Sequence, residues 1–289
     1  MVFANITRRK LLYFILALIA SCGIVIAASE VYDALNKNCQ DASKQSVKTQ
    51  MAGLEQTVTP PKKAANASNI NWSVWNQHTK KLDALNKEYS ALVDKASNEV
   101  ASTKKVSANT QKAGLASADN YKKASEEFAE FLKKNNCTSR AKSVLSIAEA
   151  RVKSAEMTFS DTIDSDKISA ANDAMNAMND ARKAAFADVL KDADSSDLSS
   201  LKANLLPKLQ GVSSDVTTLV SNTTKLVDDI KNQISGGGVG GLVSCSRQAA
   251  TAASSDDPMS LLSPATNLLS MLKNIGTNIS DMISDLSNL

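Results

Sequence analysis

Histidine is almost missing from this chain: His78 is the only one in 289 residues. A single imidazole excludes a multi-histidine metal site. It also leaves any histidine-dependent triad resting on one residue, set beside Trp75 on an expected core face, so we read His78 as packed rather than catalytic. The four cysteines, Cys22, Cys39, Cys137 and Cys245, contain no CxxC spacing, so neither a zinc site nor a thioredoxin-like redox pair is indicated. The chain has no DxDxDG loop for calcium. Adjacent acidic pairs such as Glu126-Glu127 and Asp228-Asp229 would point about 100° apart on a helix and so form no shared carboxylate site. No catalytic set, metal, cofactor or small-molecule substrate is indicated, and we read the chain as non-enzymatic.

Aromatic residues make up 4% of the chain, and there are 10 glycines and 5 prolines. A β-sandwich of this size would need more Val, Tyr, Phe and turn glycines. Ala, Ser, Lys, Asp, Asn and Leu dominate instead, a profile suited to long helices packed through small and aliphatic side chains.

Charge of one sign is also scarce. The formal net charge of +3 is carried by Arg8, Arg9 and Lys10, and the remainder is balanced. Nothing in it implies nucleic-acid binding. The distribution is uneven: residues 61–153 hold 17 basic and 9 acidic side chains, and residues 154–289 hold 10 and 17. Such halves suit helices that lie against one another with opposite charges along their seams, or simply two solvated faces.

One long apolar run stands out. Leu11–Ala28 contains no charge and follows directly on Arg8, Arg9 and Lys10. As a helix it would span about 27 Å, close to a bilayer's hydrocarbon core. The preceding basic residues would place the N-terminus in the cytoplasm and the C-terminus outside. The leading expectation is a single-pass signal anchor that attaches the chain to the membrane through residues 11–28. Cleavage after Ala28 or Ser29 would instead release a secreted or periplasmic protein. Ile19-Ala20-Ser21-Cys22 resembles a lipobox, but the run stays apolar after Cys22, which favours a small residue inside a spanning helix.

Beyond the anchor, apolar residues recur at helical spacing. Glu30–Thr59 allows a helix to continue outward until Pro60 and Pro61 end it. Trp75, His78, Leu82, Leu85, Tyr89, Leu92 and Ala96 alternate by three and four, and a long helix is expected over Ser73–Lys134, with a break near Gly114. Leu145 to Phe159 and Ile168 to Ala185 continue the pattern, with an interruption at Ser160–Asp166. The clearest seam is Leu205, Leu209, Val212, Val216, Leu219, Thr223, Leu226 and Ile230, with Pro207 placed in the first turn. Leu268, Leu272, Ile275, Ile279, Met282, Leu286 and Leu289 repeat it, so these two stripes should pair.

The expected fold is therefore all-α: an N-terminal transmembrane helix or signal segment followed by an elongated antiparallel bundle with coiled-coil-like seams. Its parts are a cytoplasmic basic N-terminus (1–10), a signal anchor (11–28), and a membrane-proximal helix with a proline-containing linker (29–71). A long-helix bundle (72–235), a Gly-rich polar loop (236–258) and a C-terminal amphipathic helix (259–289) follow. Gly236–Gly241 matches GxGxxG only formally, because a helix precedes it where a dinucleotide site needs a strand.

If successive helices run up and down, Cys39, Cys137 and Cys245 converge on the membrane-proximal end, and Cys39 with Cys137 is the expected disulfide. The functional expectation is an anchored scaffold or assembly component. Its seams, Leu205, Leu209, Val212, Val216, Leu219, Leu226 and Ile230 with Leu268, Leu272, Ile275, Ile279, Met282 and Leu286, would engage a protein partner or further copies of the chain. The alternative is a membrane-active pore, lysis or secretion-related protein that uses its apolar C-terminal helix.

Overall fold

Short polar side chains set the helix starts. In a computed structural model, which describes the backbone of residues 8–235 and 258–289 and the side chains of residues 30–232 and 259–289, seven helices account for nearly all the described chain. They are α1 (Arg8–Thr57), α2 (Trp72–Thr103), α3 (Ala108–Lys134), α4 (Thr138–Thr158), α5 (Ser165–Asp192), α6 (Ser195–Ser235) and α7 (Pro258–Ser287). Asn71 accepts from the Ser73 and Val74 amides to open α2, Ser107 accepts from Thr110 to open α3, and Asp164 accepts from Asp166 and Lys167 to open α5. Each satisfies amides that the first helical turn leaves without a partner. Asp194 does the same for α6, accepting from the Asp197 amide at 2.9 Å. A hydrogen bond from the Ser196 hydroxyl, then that amide, holds the Asp194 carboxyl down at about 2.

Several expectations change. The helix expected over Ser73–Lys134 is two helices, and the break falls at Lys104–Ser107 rather than at Gly114. Lys104 takes a left-handed conformation (φ 67°), and the Glu99 carboxylate ties the turn by accepting from the Ser107 amide (2.8 Å), the Ser107 hydroxyl (3.0 Å) and the Thr110 hydroxyl (2.8 Å). Pro207 lies inside α6, which begins at Ser195, so the carbonyl four residues earlier belongs to the exposed Ala203 and can turn to solvent. The span expected at Leu11–Ala28 falls on residues whose side chains lie outside the description. Among the described residues no helix is long and apolar enough to cross a membrane. Cys22, Cys245 and the glycines at 236–241 lie outside the described side chains as well.

The helices alternate in direction. α1, α3, α5 and α7 run toward a far end marked by the Pro60–Asn71 linker, where the Lys63 amide donates to the Asp192 carbonyl at 2.6 Å. α2, α4 and α6 run back toward a near end, where Lys104 pairs with Asp33 at 2.9 Å. α1 is the centre: α2, α4, α5, α6 and α7 all pack on it, and α3 closes over α2 and α4. Between Val31 and Thr59 only Lys37 and Lys48 are exposed. Among the described residues the opposed charge of the two sequence halves is used locally, chiefly at the far end, where Lys62 pairs with Asp194 and Asp197 and Arg140 lies 3.9 Å from Asp192.

The α6 and α7 stripes pair as expected. Leu205, Leu209, Ile230, Leu268, Leu272, Ile275, Ile279, Met282 and Leu286 are at most 1% exposed. A second apolar cluster, with Val47, Tyr89, Val93, Ala118 and Phe159, fills the near end between α1, α2, α3 and α4.

Gly114 belongs to that near-end packing. A Cβ on Gly114 would stand 2.3 Å from the buried Phe159 ring. Alanine would add about 1 kcal/mol of helix propensity, but overpacking a closed core costs about 1 to 3 kcal/mol. The rigid ring places this site at the upper part of that range. Gly114→Ala should lower stability by about 1 to 2 kcal/mol, read from the urea midpoint. A raised midpoint would show that Phe159 is not seated on α3.

Candidate functional site

The chemistry of the bundle is concentrated along α1, where a helix buried on nearly all sides carries polar residues. Asn38, Gln40, Ser43, Gln45, Ser46, Thr49, Gln50, Gln56, Thr57 and Thr59 are all buried. Buried polar groups need partners, and α4 supplies most of them. Gln40 Nε2 donates to the Thr158 carbonyl (3.1 Å), and the Thr158 hydroxyl donates to Ser43 (2.8 Å). The Gln50 amide donates to the hydroxyls of Ser46 (3.0 Å) and Ser154 (3.1 Å). Further along, the Thr57 and Ser143 hydroxyls meet at 2.7 Å.

Three arginines, each no more than 1% exposed, are set against this column. Arg140 caps the end of α1: its Nη1 donates to the Thr57 carbonyl at 3.2 Å and to that of Thr59, and its Nη2 lies 3.9 Å from Asp192. A cation at a helix C-terminus satisfies both the open carbonyls and the helix dipole. Arg182 joins three helices. Its Nη1 donates to Gln56 on α1 (2.8 Å) and Asp285 on α7 (2.6 Å), and its Nε donates to Asn179 on its own helix (3.1 Å). The arginine stem passes Gly53, where an added Cβ would be in ordinary contact with it, 3.7 Å from Cδ.

Arg151 is held differently. Its Nε donates to Gln50 (2.6 Å), its Nη2 donates to Asn86 (2.8 Å), and its Cζ lies over both the Tyr89 and Tyr121 rings, 4.5 and 4.4 Å from their centroids. Among the described residues no carboxylate pairs with it. Burial pulls both Arg140 and Arg151 below the ordinary arginine range, yet a guanidinium stays charged in proteins. The tyrosine faces and amide oxygens therefore stand in for a counter-ion.

The cysteines do not meet. Cys39 and Cys137 are both free thiols, which corrects the expected disulfide. The extra turn at Lys104–Ser107 reverses the direction of every helix up to the reversal at Ser160–Asp164. Cys137 therefore lies at the far end, beside the Arg140 that caps α1, while Cys39 sits 18 residues earlier on α1, roughly 27 Å away. The interruption expected at Ser160–Asp166 is a full reversal of the chain, and it returns Asp194 to the far end beside the Pro60–Asn71 linker. Burial pushes the Cys39 thiol up to about 12 and raises that of Cys137. His78 stacks on Phe128 (5.2 Å, 20° between planes), and desolvation lowers its pKa. It belongs to an aromatic cluster with Trp75 and Phe131.

At the near end a cavity of about 20 Å³, room for about one water, opens between α1, the α2–α3 turn and the α4–α5 loop. Gln40 and Cys39 line it, and Gln40 Oε1 meets no protein donor. Among the described residues no three His, Cys, Asp or Glu side chains are grouped closely enough to hold a metal. No family model, curated protein or solved structure matches the chain.

The predicted seam residues lie inside the bundle, between α6 and α7 and against α1, except Leu289, which is exposed. The polar column and its arginines carry no apolar period, and sequence reasoning did not single them out. Their only sequence signal was a proline-free stretch with an unusually weak stripe.

Removing Arg182 should cost about 3 kcal/mol, as breaking a buried ion pair does. The urea midpoint of Arg182→Ala measures it, and a loss below about 1 kcal/mol, the worth of an exposed pair, would mean that the α1–α5–α7 junction is not closed. Native Cys39 should resist alkylation at pH 8 and react only after denaturant is added, because its thiolate forms only near pH 12. Rapid labelling of the folded chain at Cys39 would contradict its burial.

Proposed function

We propose that this protein is a membrane-anchored, extracytoplasmic, non-enzymatic scaffold in which the anchor and the centre of the bundle are one helix. The observation that carries this reading is the continuity of α1 from Arg8 to Thr57. The helix that contains the apolar run Leu11–Ala28 goes on to form the post around which α2, α4, α5, α6 and α7 pack. A continuous helix transmits position along its axis, so the bundle would be held at a fixed distance and orientation from the bilayer.

The heptad stripes of α6 and α7 are consumed within the chain. A protein partner or a second copy would therefore dock on the outer helix faces, not on those seams. The rival reading, in which α7 leaves the bundle to enter a bilayer, draws less support. Its departure would remove Asp285 from the buried Arg182 and leave that charge without a carboxylate.

The test is fractionation of the native protein with intact mass measured alongside. The full-length mass should appear in a carbonate-resistant membrane fraction, and a chain beginning at Glu30 should be soluble and equally helical. A mature mass lacking the first 28 or 29 residues, found in the soluble fraction, would overturn the anchor. Sedimentation of the soluble chain then reports whether it associates with itself.

A further inference from the structure

Five polar contacts between α5 and α7, which run parallel, share an offset of 102 or 103 residues, while Ser165–Ser263 and Lys183–Asp281 stand 98 apart. Asn267 Nδ2 donates to the Ser165 hydroxyl (2.7 Å), and Asn274 Nδ2 donates to Asn172 (2.7 Å). Asn278 donates to the Met175 carbonyl (3.2 Å), Asn179 donates to Asp281 (3.0 Å), and Arg182 donates to Asp285 (2.6 Å). Partners stand 102 or 103 residues apart at every one of these rungs.

The rungs repeat every seventh residue. Ser165, Asn172 and Asn179 follow one another at that interval on α5, as do their partners Asn267, Asn274 and Asp281 on α7. The apolar packing repeats with them: Leu261, Leu268, Ile275 and Met282, and Ala265, Leu272, Ile279 and Leu286, on α7. On the facing α6 the sets are Leu205, Val212, Leu219 and Leu226, and Leu209, Val216, Thr223 and Ile230. A pattern that repeats by heptads is satisfied again after a shift of one heptad.

A slide of α7 by seven residues toward the far end, about 10 Å, places Asn267 opposite Asn172, Asn274 opposite Asn179 and Asn278 opposite Arg182. Each of these pairs can hydrogen-bond. The slide is opposed at the acids, since Asp281 would face Phe186 and Asp285 would leave Arg182 to face Val189, both buried, and at the helix ends, where Pro258 would take the place of the buried Ala265 and the buried Leu286 would pass beyond the observed end of α7. A slide the other way sets Asp285 against the Met175 carbonyl and takes it from Arg182.

We propose that α7 is a two-position slider. Asp281, paired with Lys183 at 2.6 Å, and Asp285, paired with Arg182, hold it in the observed register, and a second register lies one heptad toward the far end. Movement between the two carries a displacement of about 10 Å from one end of the bundle to the other. Neutralising the two acids opens the second register.

Cysteine pairs report each register. Ser165→Cys with Asn267→Cys captures the observed one, and Asn172→Cys with Asn267→Cys captures the shifted one. Peptide mapping after mild oxidation distinguishes these bonds from any that involve the native cysteines. With both aspartates present, the first pair should close quickly and the second only slowly. With D281N/D285N the second pair should close at least tenfold faster. D285N alone should give an intermediate rate, and it replaces the double variant if that chain loses its helical signal. Covalent capture accumulates even a minor register. Absence of the 172–267 bond from every folded variant after prolonged oxidation would overturn the proposal, as would equal rates with and without the aspartates.

Discussion

The bundle depends on the burial of a polar helix at its centre. The backbone of α1 satisfies itself, but its Gln, Ser, Thr and Asn side chains leave water on all sides and need partners from whatever packs against them. That requirement explains the composition of the neighbours. α4 presents Ser143, Ser154 and Thr158 where a purely apolar helix would leave α1 hydroxyls and amides unpaired. Arginine appears where the distance to be spanned is long, because its stem packs as hydrocarbon while its five donors reach several acceptors. Apolar burial supplies most of the stability elsewhere, in the stripes of α6 and α7 and in the α2–α3 aromatic cluster, where each fully buried large side chain contributes about 1.5 to 3 kcal/mol.

This division decides what the sequence reveals. A helix with one buried face shows a stripe, so α6, α7 and the first half of α2 could be recognised, and the pairing of α6 with α7 followed because neither stripe can be buried alone. A helix buried all round shows no stripe, because every face is inside, and α1 adds polar residues that blur what remains. α4 is similar: between Ser139 and Thr158 only Lys142 is exposed, and its broad buried face mixes Arg140, Ser143, Arg151 and Ser154 with apolar residues. The all-helical class was therefore legible, whereas the residues carrying its unusual chemistry were not. Arg140, Arg151 and Arg182 look like solvated basic residues until the packing places acceptors around them.

The misplaced cysteines have a different cause. No proline or glycine marks the α2–α3 turn, whose sequence is Lys104-Lys105-Val106-Ser107. Its signal is distributed: a serine cap, a buried Val106 and a Glu99 eight residues upstream that bonds the turn from outside it. Gly114, the residue that looks like a breaker, sits inside a regular helix because Phe159, far away in sequence, needs the space. One uncounted turn inverts the end at which each feature lies until the chain reverses again at Ser160–Asp164, so a small local omission became a large error about Cys137.

The direction of the helices also explains where the polar contacts lie. Antiparallel neighbours joined by a short turn, such as α2 with α3 or α4 with α5, have their register set by the turn itself. Parallel neighbours do not. α1 and α5 are separated by three intervening helices, and α5 and α7 by the whole of α6, so no connection fixes how far one slides past the other. Apolar heptads do not fix it either, since they match at every seventh residue. Register between parallel helices must then come from directional contacts, and the α1–α5 and α5–α7 contacts are where the structure places Gln56, Asn179, Arg182, Asp281 and Asp285. A single buried polar residue can specify alignment in a coiled coil at some expense of stability. Here one guanidinium does so for three parallel helices at once, because Arg182 reaches α1 and α7 from α5 and is satisfied by both only in the observed alignment.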